Sequence, residues 1–494
     1  MNQMNFKHVI YKLSALVCIL VLFSACGKDR SNELKELTDV QHWIYDTMEE
    51  WYYWYEELPE RKDVRFTDKP KAFFGSLLSD KDGTRDKDGT RGNPFSYIED
   101  NAEIPISRSI HQTQYSYGIA FTPTSIEFTG GRSRLAVYIN YVAEGSPADE
   151  AGLQRGDLIL SIYQDSESLT PEDVQRLVGG GPLSTVSYIR PPFDSDFVSI
   201  RKTSLPAARA VVDQPTYLTK KLDSNTGYLV YNHFTPGNVD KKARDLSYNQ
   251  DLHDKIASDL IGTKDLILDL RYNGGGYVSC AELLMALIGP REIINQTVGY
   301  MKYNSKKVAE NATNYKPQIL ATAQGNLSNS SSVVNLDIER LFVITSQNTA
   351  SASEIIINSL NTFIPVYVIG ETTVGKNVGS IGFDKGSWHI QPIVCQIFNN
   401  NHFTDYSAGF QPGIYHNGLV EARPDWEISE IEQLFNRHQF GQLGEINEPV
   451  LAKVMNVILS PGEIKEANTR SFASKIKAYP IQGLHTSRDL IINK

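Results

Sequence analysis

The apolar positions of this chain change their spacing several times, and each change predicts a different element. An apolar run from Leu13 to Phe23 follows Lys7 and Lys12. It is shorter than the ~20 residues that span a membrane, and a basic start before a short apolar stretch reads as a signal segment over residues 1–25. Residues 26–35 are polar and read as a tether. From Leu37 to Leu58 the spacing predicts a helix whose stripe is aromatic: Trp43, Trp51, Tyr52, Tyr53, Trp54 and Tyr55. Such a stripe packs into a core or against another domain. It is also the candidate surface for a homo-oligomer. A tandem hexapeptide follows, Asp80 to Arg85 and Asp86 to Arg91. Its Asp-x-Asp-Gly hints at calcium, but the twelve-residue loop with a terminal Glu is absent, so a solvated loop is expected. Residues 36–105 thus read as a small, mainly helical N-terminal domain.

From about 113 the texture turns to strands and tight turns. Tyr117-Gly-Ile-Ala-Phe121 opens it, Leu135–Asn140 is strand-like, and Gly145-Ser-Pro-Ala-Asp-Glu-Ala-Gly-Leu-Gln-Arg-Gly-Asp-Leu-Ile-Leu-Ser161 follows. Gly152 can end a short helix over 147–151, Gly156-Asp157 turns into a strand, and Pro171–Val178 reads as a second helix. This block resembles the PDZ family and places such a domain over residues 113–205. PDZ modules take a peptide as an added strand and hold its C-terminal carboxylate on backbone N–H groups. The resemblance puts Tyr117, Gly118, Ile119, Ala120 and Phe121 at that carboxylate-binding loop. From about 208 strands alternate with helices: strands near 227–232, 265–270, 340–345 and 366–370, helices near 278–288, 352–362 and 448–459. That is an α/β pattern over 208–470, before a C-terminal tail, 471–494.

Composition narrows the function. The 494 residues suggest about three domains, and 41% hydrophobic residues suffice for packed cores. A net charge of −10 without a run of five basic residues argues against nucleic-acid binding. No H-E-x-x-H and no Cys/His cluster is present, so neither a metal nor another cofactor is implied. The sequence Leu22-Phe23-Ser24-Ala25-Cys26 resembles the lipobox of bacterial lipoproteins, with Phe23 where Leu is usual. The resemblance implies cleavage before Cys26, lipid on that cysteine, and anchorage in a bacterial cell envelope, at an outer membrane facing the periplasm or the cell surface. The mature chain would lose two lysines and no acid. Cys280 and Cys395 then remain, as a disulfide or as buried thiols.

Three segments carry chemistry. Asp265-Leu-Ile-Leu-Asp-Leu-Arg-Tyr-Asn-Gly-Gly-Gly276 is an apolar strand entering three glycines, with neither nucleotide-loop spacing. Leu341–Ser346 leads through Gln347-Asn-Thr-Ala-Ser-Ala-Ser-Glu354 into a helix. There Ser351-x-x-Glu354 reads as a capping box, and Ala352 N–H sits where a helix start favours an anion. Val366–Gly370 is a third strand, delivering Lys376 behind Gly375. A lysine is usually a solvated surface residue, but one shielded from water can take a proton from a serine.

In this order, downstream of a PDZ domain, the segments resemble the C-terminal processing (tail-specific) family of serine peptidases, over roughly residues 113–460. Ser351 and Lys376 are 25 residues apart, as in that family. The resemblance implies a multidomain α/β protein: a small helical N-terminal domain, a β-rich PDZ domain with two helices, and an α/β protease core resembling the ClpP/crotonase-like fold. It implies Ser351 as nucleophile, Lys376 as general base, and the N–H groups of Gly276 and Ala352 as oxyanion hole. Polypeptides cut near C-termini or in unfolded segments are the implied substrates. Many members of that family carry a Gln four residues after the Lys, whereas this chain has Ser380, a candidate third group. Tricorn-type relatives use a His, for which His233 is the candidate, although a structural role suits it better. A non-catalytic peptide-binding lipoprotein is the main alternative, and a carrier of small apolar ligands on the same fold a more distant one.

Overall fold

The computed structural model describes residues 31–84, 92–100, 114–128, 133–163, 168–181, 183, 185–191, 199–212, 214–238, 245–309, 318–329, 332–437, 440–460 and 476–480. The signal segment, Cys26, the second hexapeptide copy and most of the 471–494 tail lie outside the described residues.

The chain is a multidomain α/β protein. The N-terminal region contains α1 (Ser31–Trp51), α2 (Pro70–Ser76) and the short β1 (Tyr97–Asp100). Helix α1 starts inside the stretch read as a tether and stops short of the expected Leu58. Beyond it the aromatic sequence enters a single 3-10 turn, Tyr55–Glu57.

The PDZ region contains β2 (Gln114–Ser116), β3 (Ile119–Phe128), β4 (Ser133–Val142), α3 (Pro147–Glu150), β5 (Leu158–Ser161), α4 (Pro171–Gly179), β6 (Val186–Ile189), β7 (Arg201–Thr203) and β8 (Arg209–Val211). Strands β3 to β7 form an antiparallel sheet in chain order. Both helices start on sequence signals. The Ser146 hydroxyl accepts Asp149 N–H, and Thr170 with Asp173 forms a complete capping box ahead of Pro171. Val137, Ile139, Ile159, Val174 and Leu177 fill the core beneath.

The catalytic-type region contains β9 (Thr216–Lys221), β10 (Thr226–Tyr231), α5 (Ser247–Asp259), β11 (Asp265–Asp269), α6 (Val278–Ile288), β12 (Thr297–Tyr303), α7 (Ser305–Ala309), β13 (Gln318–Leu320), β14 (Arg340–Thr345), α8 (Ala352–Leu360), β15 (Val366–Gly370), β16 (Val378–Ser380), β17 (Phe383–Lys385), β18 (Trp388–Gln391), β19 (Ile393–Asn399), β20 (Gly413–His416), β21 (Leu419–Ala422), α9 (Glu430–Arg437) and α10 (Pro449–Leu459). Strands β10, β11, β14 and β15 run parallel and adjacent inside a seven-stranded sheet. They read as unbroken apolar runs because both faces are covered. On one face lie α6 and α8, buried along their whole lengths. On the other, Val450, Leu451 and Val454 of α10 pack on Tyr228, Ile267 and Phe342. A last strand, β22 (Ile476–Pro480), adds to β3.

Two joints fix the regions together. The aromatic stripe is interdomain packing: Ile44, Met48, Tyr52 and Phe73 share a core with Val378, Ile390 and Ile393, and β1 pairs antiparallel with β18. At the second joint Ile431, Leu434 and Phe435 of α9 cover Ile126, Tyr138 and Leu158 of the PDZ sheet. Arg155 of the PDZ region crosses it, reaching Glu430 at 2.6 Å and the Tyr272 hydroxyl. Cys280 and Cys395 are both buried free thiols, so no disulfide joins them. Among the described residues no helix is long and apolar enough to cross a membrane.

Candidate active site

The C-terminal ends of β11, β14 and β15 open side by side, and each carries one of the three segments. In a parallel α/β sheet this edge is where the chain leaves the ladder and its backbone groups become available to a ligand.

After β11 the chain turns through Asn273. The Asn273 side chain donates to Tyr231 O at 2.8 Å and accepts Gly275 N–H at 2.8 Å. Its carbonyl accepts the Ser353 hydroxyl at 3.0 Å. Gly275 has φ +107°, and a Cβ there would lie 2.7 Å from Ser351 Cβ. Gly276 has φ +140°, with a Cβ only 2.2 Å from Phe234 O. Only glycine fits both places, which lets the loop backbone press against Ser351.

After β14, Ser346 Oγ donates to Arg271 O at 2.5 Å and Thr349 Oγ1 to Leu270 O at 2.9 Å. These bonds fasten the turn to the glycine segment. Ser351 then adopts φ 65°, ψ −116°, a conformation non-glycine residues rarely hold, directly before α8. Strain of this kind costs about 1–3 kcal/mol and persists only where neighbours enforce it. Among the described residues, the buried Ser351 hydroxyl has no hydrogen-bond partner. Nor do the N–H groups of Gly276 and Ala352 donate to another described residue.

After β15, the loop returns Lys376 to the same place, buried at 4% exposure. Its Nζ lies 5.4 Å from the Phe95 ring, contributed by the N-terminal region. Phe95 is set there by Asp82, whose Oδ1 accepts Phe95 N–H at 2.9 Å.

One carboxylate ties the second and third segments. Glu354 is fully buried; its Oε2 accepts Ser351 N–H at 2.7 Å and Lys376 N–H at 2.9 Å. Its Oε1 accepts Gly375 N–H at 2.7 Å and the Thr373 hydroxyl at 2.6 Å. Burial pushes the Glu354 carboxyl above its ordinary range, and the four donors pull it back. The sequence shows Glu354 only as the third residue of a capping box. Its bonds across to Thr373, Gly375 and Lys376 leave no local signal. The same holds for Phe95 and Asn273.

Of the other expected residues, Ser380 lies on β16 and accepts Gln391 Nε2 at 3.0 Å. Gln391 Oε1 meets His389 Nε2 at 3.0 Å, and His389 Nδ1 meets Asp384 at 2.7 Å. His233 is buried against Thr235 Oγ1 at 2.9 Å. Tyr117 is buried, with its hydroxyl donating to Gly181 O at 2.5 Å. Gly118, at φ +73°, turns the chain into Ile119–Phe121 at the start of β3.

The unpartnered Ser351 hydroxyl and two open N–H groups meet here, and Glu354 holds the Lys376 backbone on the same carboxylate oxygen as that of Ser351. Such a set can add an alkoxide to a carbonyl, move one proton and hold the resulting oxyanion. As it stands the site is closed: Ser351 and Ala352 have no exposure. A small cleft of about 50 Å³ lies between Asn140 of the PDZ region and Ser346, Gln347 and Glu371 of the core.

Comparison with known proteins follows the same divisions. Profiles of the peptidase S41 N-terminal domain, a PDZ domain and peptidase family S41 match residues 39–97, 138–186 and 225–404. The chain thus carries the three modules of an S41 peptidase. Among curated proteins it is similar to the carboxyl-terminal-processing protease of Picosynechococcus sp., 27% identical over 238 residues, covering 47% of this chain and 49% of that one. The protein of the same name from Synechocystis sp. is 25% identical over 308 residues, covering 58% and 62%. The chain therefore spans about half to three-fifths of the length of these relatives. A solved Bacteroides fragilis chain, described as an S41 protease, is 26% identical with a TM-score of 0.66, covering 85% of this chain and 98% of its own.

Proposed function

We propose that this protein is a serine endopeptidase that cuts polypeptides at or near C-termini or in unfolded segments. Ser351 Oγ attacks the scissile carbonyl carbon and its proton passes to Lys376 Nζ. The tetrahedral oxyanion rests on Gly276 N–H and Ala352 N–H. Lys376 returns the proton to the leaving amine as the C–N bond breaks. Water, deprotonated by the same lysine, then hydrolyses the Ser351 ester. The observation that carries this reading is Ser351 itself: strained at φ 65°, with an unpartnered hydroxyl, and tied through Glu354 to the backbone of Lys376. Ser380 is proposed as the third group, supported by Gln391. The PDZ module presents substrate, with Tyr117–Phe121 holding its carboxylate. Lipid on Cys26 anchors the chain in the bacterial cell envelope. Residues 36–105, 113–205 and 208–470 serve as the N-terminal, PDZ and catalytic domains.

The closed site favours one competing reading, a peptide-binding lipoprotein without activity. Residues 27–494, their Ser351→Ala and their Lys376→Ala variants, each incubated with an unfolded protein, separate the two. Cleavage by the first alone, with all three folded, supports the peptidase. Silence of all three, also with added C-terminal peptides, supports the binding protein. Metabolic labelling with a radioactive fatty acid, lost in Cys26→Ala, tests the anchor.

A further inference from the structure

The outer edge of the PDZ sheet is not empty. Strand β22 runs antiparallel along β3, with Ile476 opposite Phe128, Lys477 opposite Glu127, Ala478 opposite Ile126, Tyr479 opposite Ser125 and Pro480 opposite Thr124. Strand β4 holds the other edge of β3, so β22 occupies the side on which an added strand must pair. It also lies against α9. Among the described residues the ladder runs to Pro480, which pairs opposite Thr124 with its nitrogen turned away from β3. Among the described residues nothing pairs with that edge over Ile119–Pro123, next to the Tyr117–Gly118 turn.

We propose that Ile476–Pro480 is an internal ligand of the PDZ edge, setting how long a peptide the groove accepts. The inference rests on reading β3 and Tyr117–Phe121 as the peptide groove. A peptide with its carboxylate at the Tyr117–Gly118 turn pairs one residue against each residue of β3. Ile119–Pro123 would match about four or five residues of such a peptide, and Thr124–Phe128 are the part of the edge that β22 occupies. A longer extended peptide reaches Thr124 and must displace the internal strand. That strand competes as part of the same chain, at an effective concentration in the ~mM range. Its partner is thus an extended peptide of at least about six residues, recognised mainly through its backbone.

The test uses residues 27–494 carrying Ser351→Ala, so that no probe is cut. A fluorescein-labelled decapeptide of alternating threonine and valine, and its C-terminal tetrapeptide, are titrated by anisotropy. Two variants are compared with the parent, one ending at residue 475 and one carrying Lys477→Pro; Pro480 fits the ladder with its nitrogen turned outward, so the N–H groups facing β3 are those of residues 477 and 479, and this change removes one of them. Both variants are expected to bind the decapeptide at least about tenfold more tightly. The tetrapeptide should bind all three chains within about twofold. Amide hydrogen exchange over residues 124–128 should quicken in both variants, and in the parent on adding decapeptide. Unchanged decapeptide affinity in folded variants overturns the internal ligand and leaves the groove standing. Failure of both peptides to bind any of the chains overturns the groove itself, and this proposal with it.

Discussion

Replacing Glu354 by glutamine asks whether one buried carboxylate sets the relation between Ser351 and Lys376. Glutamine retains a single oxygen. If that oxygen stays with Ser351 N–H and Lys376 N–H, the new NH₂ group faces Gly375 N–H, donor against donor. The Thr373 hydroxyl can turn and accept instead. A buried N–H without a partner costs about 1–3 kcal/mol. The two retained bonds lose charge assistance, at about 1 kcal/mol each. Removing a charge that burial disfavours returns part of this. The net loss is about 2–4 kcal/mol, and the strained φ of Ser351 is the first thing it releases. Since about 1.4 kcal/mol is tenfold, kcat/KM should fall roughly 30- to 1,000-fold, with kcat carrying the fall. Initial rates on denatured fluorescent casein measure it, with near-UV circular dichroism confirming the fold. A folded Glu354→Gln protein within threefold of the parent would refute the reasoning, because four hydrogen bonds would then have no part in placing the nucleophile.

Three further outcomes are expected. Gly275→Ala sets a Cβ 2.7 Å from that of Ser351 on a backbone at φ +107°; displacing the nucleophile by close to 1 Å should cost about 10²-fold in kcat, and unaltered kcat would show that the loop yields freely. Burial raises the Glu371 carboxyl to about 7 from its ordinary 4.5, so between these values the native state holds a proton that the unfolded chain has lost, and stability falls as pH rises. Glu371→Gln should abolish that slope and stabilise the protein above pH 7 by at most about 3 kcal/mol, read from urea unfolding at pH 5 to 8, whereas parallel slopes in the two proteins contradict the assignment. Arg155→Met strips Glu430 of its 2.6 Å partner at the PDZ joint and should destabilise by about 3–5 kcal/mol in the same urea assay; a loss below 1 kcal/mol would show the cluster to be solvated.

Much of this architecture is legible in the sequence because its signals are local. The apolar runs at 265–269, 340–345 and 366–370 became adjacent parallel strands, and Thr170 and Ser146 start the two PDZ helices where expected. Gly275 and Gly276 announce a backbone that no other residue could follow. What stayed hidden is long-range. Helix α1 ends early because Tyr53 N–H pairs with Ile393 O, 340 residues away, at 2.8 Å. Phe95 reaches Lys376 only because Asp82 and β18 carry the N-terminal region there. Glu354 satisfied a helix-start pattern completely, and that local explanation conceals its three bonds to the next loop.

The PDZ joint shows a further kind of information that periodicity does not hold. Its apolar part, Ile431, Leu434 and Phe435 on the PDZ sheet, is non-directional and would tolerate several orientations. The charges beneath it tolerate far fewer. Arg271 spans Asp269 at 2.8 Å and Glu448 at 3.0 Å, while Arg155 takes Glu430. Two guanidinium groups thus meet three carboxylates, and hydroxyls attend to the remaining oxygens. Tyr228 donates to Asp269 at 2.7 Å, and Tyr272 and Tyr138 both donate to Glu430. Burial alone would raise Glu448, yet Arg271 and Arg155 hold it below the ordinary carboxylate range. A buried array of this kind adds little net stability over apolar packing, because desolvation offsets most of the attraction. It penalises misplacement, since any rotation of the PDZ region strands a charge. Arg271 and Tyr272 immediately precede Asn273, so the residues that orient the PDZ region are continuous with the loop that carries Gly275 and Gly276 against Ser351.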